Sequence, residues 1–349
     1  MDDVLRNMLS YGDLSFRDFV ELALYHPQFG YYARAENPVG REGDYVTAPV
    51  LSPVFGFAIG RLVHEFVSRC EGGLCSFVDI GCGDGSLILA VSGEHARFFG
   101  VDRSLERART ADNISFLRTF DEVPRDGAHL VFSNELYDAF PFARLVRRGE
   151  HLHELWVTER DEGLDWVEHE APAAYDDYFA QRGIELAEGQ FADVSLEWGA
   201  AYADVVRRIE RGLVVTIDYG YPQAKLFHPR ARRFGTAAAY AGQRVSRDLL
   251  ANPGGQDLTA HINFTDLERA GEREGARTLY FDSLAKFLLA LGAAEHELLR
   301  PAEITSLEER ERREDAKRLV LPDGIGVEMK VLVQSKSLEG EWSFQRKLF

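Results

Sequence analysis

The chain has 349 residues, 45% of them hydrophobic, and a formal net charge of -17 at pH 7. That length can bury one large core or two modest ones. The charge excludes nucleic acid and anionic membrane surfaces as expected partners and suits a basic substrate. No apolar run is long enough to span a bilayer, "MDDVLRNMLS" lacks a signal-peptide pattern, and Cys70, Cys75 and Cys82 form no CxxC. The expectation is a cytoplasmic protein with no membrane insertion and no metal site.

Residues 1–70 read as an N-terminal helical segment. In "SFRDFVELALY" apolar residues recur at a spacing near 3.6 behind Ser15, a suitable N-cap. The Gly- and Pro-rich "GREGDYVTAPVLSP" reads as a loop, with Pro49 placed to start the next helix. From Ser76 the texture changes to short apolar strands ("SFVDI", "RFFGVD", "ISFL", "AHLVFSNE", "RGLVVTIDYG") alternating with helical segments. This pattern predicts an α/β fold over residues 71–349, its mostly parallel, Rossmann-like sheet covered on both faces. Two insertions interrupt it, a meander of antiparallel strands at about 146–190 and a polar, Gly-rich excursion at about 223–265. A helix follows the second insertion, and "GIGVEMKVLVQSK" closes the chain as a final strand. "EERERREDAKR" reads as a solvated helix face.

"SFVDIGCGDGSLILAV" (Ser76–Val91) passes from strand through glycines to helix. Without GKS or GKT it is not a P-loop, and its Gly81, Gly83 and Gly85 follow G-x-G-x-G rather than the dinucleotide spacing. Asp102, 21 residues beyond Gly81, ends the next strand, where an acid can accept the ribose hydroxyls of an adenosine. Asp79 could face an ammonium, and the helix N-terminus favours a carboxylate. The combination favours S-adenosylmethionine. NAD and a ligand-free turn stay open at this point.

Four further stretches surround that loop: "GYYAR" from Gly30, "GDYVTAPVLSPVFG" from Gly43, "SNELYDAFP" from Ser133 and "QDLTAHINF" from Gln256. In this order they resemble the MidA family of S-adenosylmethionine-dependent methyltransferases. The resemblance runs from about Ser15 to the C-terminal strand, nearly the whole chain. It implies a class I methyltransferase fold with an inserted substrate lobe, and a "GDYVTAP" loop over the cofactor, with Asp44 and Thr47 in contact. The family's mitochondrial members are complex I assembly factors that methylate a protein arginine. A protein substrate presenting an arginine, possibly on a complex I-type subunit, is therefore the implied partner. The chain departs from the family loop E-x-G-P-G-x-G in having Asp79 and Cys82 at the glutamate and proline positions.

Methyl transfer to a guanidinium needs carboxylates that hold it in a fork and take up the released proton. "SNELYDAFP" supplies Asn134, Glu135 and Asp138. Glu135 is the first choice for binding the guanidinium and Asp138 the second, while Asn134 could hold the acceptor or the cofactor. Asp218 ends the next strand, Asp257 opens "DLTAHINF", and His261 could accept a proton. Turn roles for Asp138 and Asp218, a structural role for His261 and core packing for Tyr31 and Tyr32 are the alternatives. Tyr45 could pack over adenine or substrate. At the level of function, the alternatives are a small-molecule methyltransferase and a cofactor-binding assembly chaperone without catalysis.

Overall fold

A computed structural model describes residues 2–33, 48–70, 73–105, 108–109, 111–161 and 163–344. The main sheet runs in the order Arg277–Ser283, Met329–Lys336, Arg211–Tyr221, Ala128–Asn134, Cys75–Ile80, Arg97–Val101, Ile114–Leu117. The short strand Ile262–Asn263 extends the end of Arg211–Tyr221. Pairings from Arg211–Tyr221 through Ile114–Leu117 are all parallel, and Met329–Lys336 is the reversed strand.

The apolar runs of the central strands exist because both faces are covered. Phe77, Phe132 and Val215 pack beneath the helices Pro53–Arg69, Leu284–Ala290 and Leu307–Val320. Their strand neighbours Val78, Val131 and Val214 meet Trp198–Arg208 and Phe264–Arg273 on the other face. The expected mostly parallel α/β sheet is borne out. The strand Arg277–Ser283 was not foreseen in "RTLYFDS"; as an edge strand it is only partly buried, and its alternation is correspondingly weak.

The first insertion forms a second, antiparallel sheet from Ala143–Arg148, His151–Arg160, Gly163–Glu170 and Phe191–Val194, joined by Leu14–Ser15 from the N-terminal segment. The other forms a small sheet of Ala238–Ala241 between Arg244–Ser246 and Asp257–Thr259. Phe16, Phe19, Leu24, Phe142, Val157 and Leu258 share one core, so the N-terminal helices and both insertions pack together beside the parallel sheet. Ser15 caps Phe16–Tyr25 as expected, its side chain accepting the Asp18 N–H at 3.1 Å. Pro49 lies within a single turn, Ala48–Leu51; the long helix starts four residues later at Pro53, where Ser52 supplies the cap. No helix among the described residues is long and apolar enough to cross a membrane.

Candidate active site

Gly81, Gly83 and Gly85 all take positive φ, at 76°, 56° and 77°, so the chain reverses within five residues of the strand end. The three glycines serve different ends. A Cβ on Gly81 would lie 3.0 Å from Leu136, and one on Gly85 would lie 2.9 Å from the Phe116 ring, so both permit close packing. A Cβ on Gly83 would meet nothing within 4 Å; that glycine alone opens toward free space. Asp102 braces the loop from the next strand, accepting the Gly83 N–H at 3.0 Å and the Ser104 N–H at 2.9 Å.

Asp79 is 3% exposed, and among the described residues its carboxyl receives no hydrogen bond. Burial, with Asp102 nearby, pushes it up to about 8. A buried acid in this state is stabilised by an incoming cation, which fits the ammonium of S-adenosylmethionine. The expected anion site on the following helix fares less well. Ser86–Val91 is short, and Asp84 already accepts the Ser86 N–H at 2.9 Å while pairing with Arg109 at 3.0 Å. Cys82 is buried with its thiol pushed up by desolvation, a small hydrophobe where the family carries proline.

The strand Ala128–Asn134 lies beside the loop strand, with Ser133 opposite Ile80. At its end Glu135 adopts φ 52°, a left-handed conformation that costs a non-glycine residue about 1–3 kcal/mol and concentrates at functional sites. The turn that follows is held by Asp218, which is fully buried. Its carboxylate accepts the Tyr137 N–H at 2.9 Å and the Tyr219 N–H at 2.8 Å, and also the N–H groups of Leu136 and Asp138. Asp218, offered from sequence as catalytic or as a turn residue, here accepts backbone N–H groups of the turn, the geometry of its turn alternative. The Glu135 N–H donates to the Ile217 carbonyl, and Asn134 Nδ2 donates to Glu135 Oε1 at 2.8 Å. Asn134 Oδ1 is buried without a partner among the described residues.

Burial and the neighbouring Asp218 and Asp257 push Glu135 up to about 8, against hydrogen bonds from Asn134 and the Ala48 backbone that favour the anion. Asp138 is raised well above its ordinary range by burial and by Asp218, Glu135 and Asp257. Asp257 is 3% exposed and accepts the Tyr32 hydroxyl at 3.0 Å. Tyr25, Tyr32, Tyr219 and Tyr240 line this acid cluster. Tyr25 stacks on Tyr32 at 5.5 Å, and Tyr25, Tyr219 and Tyr240 have hydroxyls raised first by burial and then by the surrounding acids. Tyr31 is fully buried core, and Tyr32, partly buried, packs against the same core while its hydroxyl reaches Asp257.

Sequence reasoning missed Tyr25, Tyr219 and Tyr240 and gave Asp257 no role. A tyrosine two or three residues from a strand end or helix cap carries no signal of what it faces. The structure does not bring His261 into the acid cluster. Its ring lies 6.1 Å from Tyr219 and 5.5 Å from Tyr221, and burial together with Arg232, Arg247 and Lys330 pushes it down to about 4. Asp44, Tyr45 and Thr47 lie outside the described residues; Ala48, the first described residue after them, donates its N–H to Glu135. A cavity of about 860 Å³ opens beside Pro53–Arg69, lined by Pro49, Phe57, Arg61, His64 and Ser86, but it includes none of the four acids.

A family profile described as "Putative S-adenosyl-L-methionine-dependent methyltransferase" matches residues 94–282, more than half of the chain. The mitochondrial protein arginine methyltransferase NDUFAF7 homolog of Caenorhabditis elegans is 24% identical over 72% of this chain and 67% of its own. The Danio rerio NDUFAF7 protein is 23% identical over 76% and 70%. A Burkholderia thailandensis crystal structure with S-adenosylhomocysteine bound superposes with a TM-score of 0.84 at 26% identity, covering 97% of this chain and 92% of that one.

Proposed function

We propose, from the premise that this chain belongs to the family of S-adenosyl-L-methionine-dependent methyltransferases, that its methyl acceptor is an arginine side chain of a protein. The observation that carries this reading is the acid cluster Glu135, Asp138 and Asp257 among tyrosines, next to the glycine loop. An acidic, aromatic recess suits a planar cation that hydrogen-bonds at its edge and packs on its face. The names of the Caenorhabditis elegans and Danio rerio relatives support the same acceptor.

Asp79, Gly83 and Asp102 would hold the cofactor through its ammonium, backbone contact and ribose. When bound, the cofactor supplies an electrophilic methyl group on a sulfonium. The chain's own part is orientation and charge. Glu135 and Asp138, protonated more readily than exposed acids, ionise as the guanidinium arrives and fix it in a fork. The acceptor nitrogen would gain the methyl carbon as its carbon–sulfur bond breaks and S-adenosylhomocysteine leaves, and that nitrogen must shed a proton. Glu135, held as the anion beside the bound guanidinium, receives it. Asn134 fixes the Glu135 carboxylate and offers its unpaired Oδ1 to an incoming N–H.

The test is methyl transfer from labelled S-adenosylmethionine into a lysate lacking this gene, followed by hydrolysis to amino acids, with Glu135→Gln alongside. Label in methylarginine of one protein band, lost in the variant, supports the reading. Label confined to small molecules, or tight cofactor binding without any product, overturns it.

A further inference from the structure

Tyr221 ends the central strand three residues beyond Asp218, and cations surround its ring. Lys225 Nζ stands 4.2 Å from the ring centroid, the Arg232 guanidinium carbon 4.6 Å and Lys330 Nζ 5.8 Å. His261 lies at 5.5 Å, and Arg247, bonded to the Ala237 carbonyl at 2.6 Å, acts on it from the same side. Among the described residues neither Lys225 nor Arg232 forms an ion pair. Arg232 Nε and His261 Nδ1 are both buried without hydrogen-bond partners among the described residues. Lys330 points at the Val327 and Glu328 carbonyls and feels two acids, Asp282, which is paired with Lys286 at 2.8 Å, and Glu328.

Gathering cations repels them from one another, and the faces of one tyrosine offset only part of that. In a chain of net charge -17, carboxylates to neutralise them are abundant elsewhere. The unpartnered Arg232 Nε–H and the unpaired charge of Lys225 and Arg232 together suit an anion. Tyr219 connects it to the acid cluster: its ring stacks on His261 at 20°, and its hydroxyl feels Glu135 and Asp138.

We propose that Lys225 and Arg232 form a carboxylate subsite that recognises an acidic residue next to the acceptor arginine, so that the substrate is read as a pair of opposite charges. This rests on the arginine reading above: the guanidinium goes to Glu135 and Asp138, and the flanking carboxylate crosses Tyr219 to the basic side.

The experiment measures binding of fluorescent arginine peptides to the full chain saturated with S-adenosylhomocysteine, at constant ionic strength. A single Glu is placed in turn at each position flanking the arginine and compared with Gln at the same position. The expected result is one position where Glu binds roughly tenfold tighter, as a charge-assisted contact would give. In the Lys225→Gln, Arg232→Gln double variant the Glu-to-Gln ratio falls to about one, while S-adenosylhomocysteine affinity verifies the fold. Equal binding of Glu and Gln peptides everywhere, or a preference that persists in the double variant, overturns the proposal. A second comparison, arginine against citrulline, reads the acid cluster alone. Either reading can therefore fail without the other.

Discussion

The two ends of the site are built on opposite terms. The proposed cofactor end is made of backbone: Gly83 presents a bare peptide to open space, and Asp102 accepts its N–H. At the acceptor end the recess is made of side chains, with Glu135 and Asp138 on one turn, Asp257 from an insertion, and tyrosines from the N-terminal helix and the central strand. A cofactor of constant shape can be met by a short local turn. A substrate residue delivered on another protein needs walls drawn from several parts of the chain. Asp218 fixes the Glu135–Asp138 turn to the strand beside it.

The contrast is broken most sharply at Glu135. Glu135→Gln keeps the size and the strained backbone but removes the charge. Turnover should fall by about 10²–10³-fold while S-adenosylhomocysteine affinity changes only a few-fold, as single-turnover assays and calorimetry would show. Equal losses in both would mean that the two ends are not separate.

Asp218→Asn tests the link. An amide offers one acceptor oxygen and aims an NH₂ at N–H groups that need acceptors, a cost of about 2–4 kcal/mol. Urea unfolding should show that loss, and activity should fall more than cofactor affinity because the turn loosens. A stable Asp218→Asn protein with altered pH dependence would instead make Asp218 catalytic.

Gly83→Ala addresses the bare backbone. The φ of 56° strains an L-residue by about 1–2 kcal/mol, and the new methyl enters the open space. Cofactor affinity should drop roughly tenfold, with the acceptor-peptide affinity of the loaded protein unchanged.

The smallest effect is in pH. Asp79 is raised to about 8, so cofactor affinity should rise about fivefold between about pH 7 and pH 8 as the acid ionises, and Asp79→Asn should flatten that rise. Stability without cofactor runs the other way. Above the ordinary carboxylate value the unfolded chain has released the Asp79 and Glu135 protons that the folded chain keeps. The contribution of these groups is therefore fully present at low pH and is lost as pH rises toward about 8. Thermal melts across that window, with and without cofactor, measure both.

How much of this was legible in the sequence follows from chain distance. The glycine loop, Asp79 and Asp102 lie within one strand–helix–strand unit, where spacing alone carries the geometry. The alternation of buried strands settled the mostly parallel sheet, and family membership followed from motifs in register. Local pattern also placed Glu135 and Asp138 after a strand, but not what each faces. Only the tertiary structure decided that Asp218 serves backbone N–H groups 80 or so residues away, that Tyr32 reaches Asp257, and that His261 belongs with the cations rather than the acids. The physical reason is that a side chain's charge state and partners depend on burial and on neighbours brought together by packing, which a one-dimensional pattern does not encode.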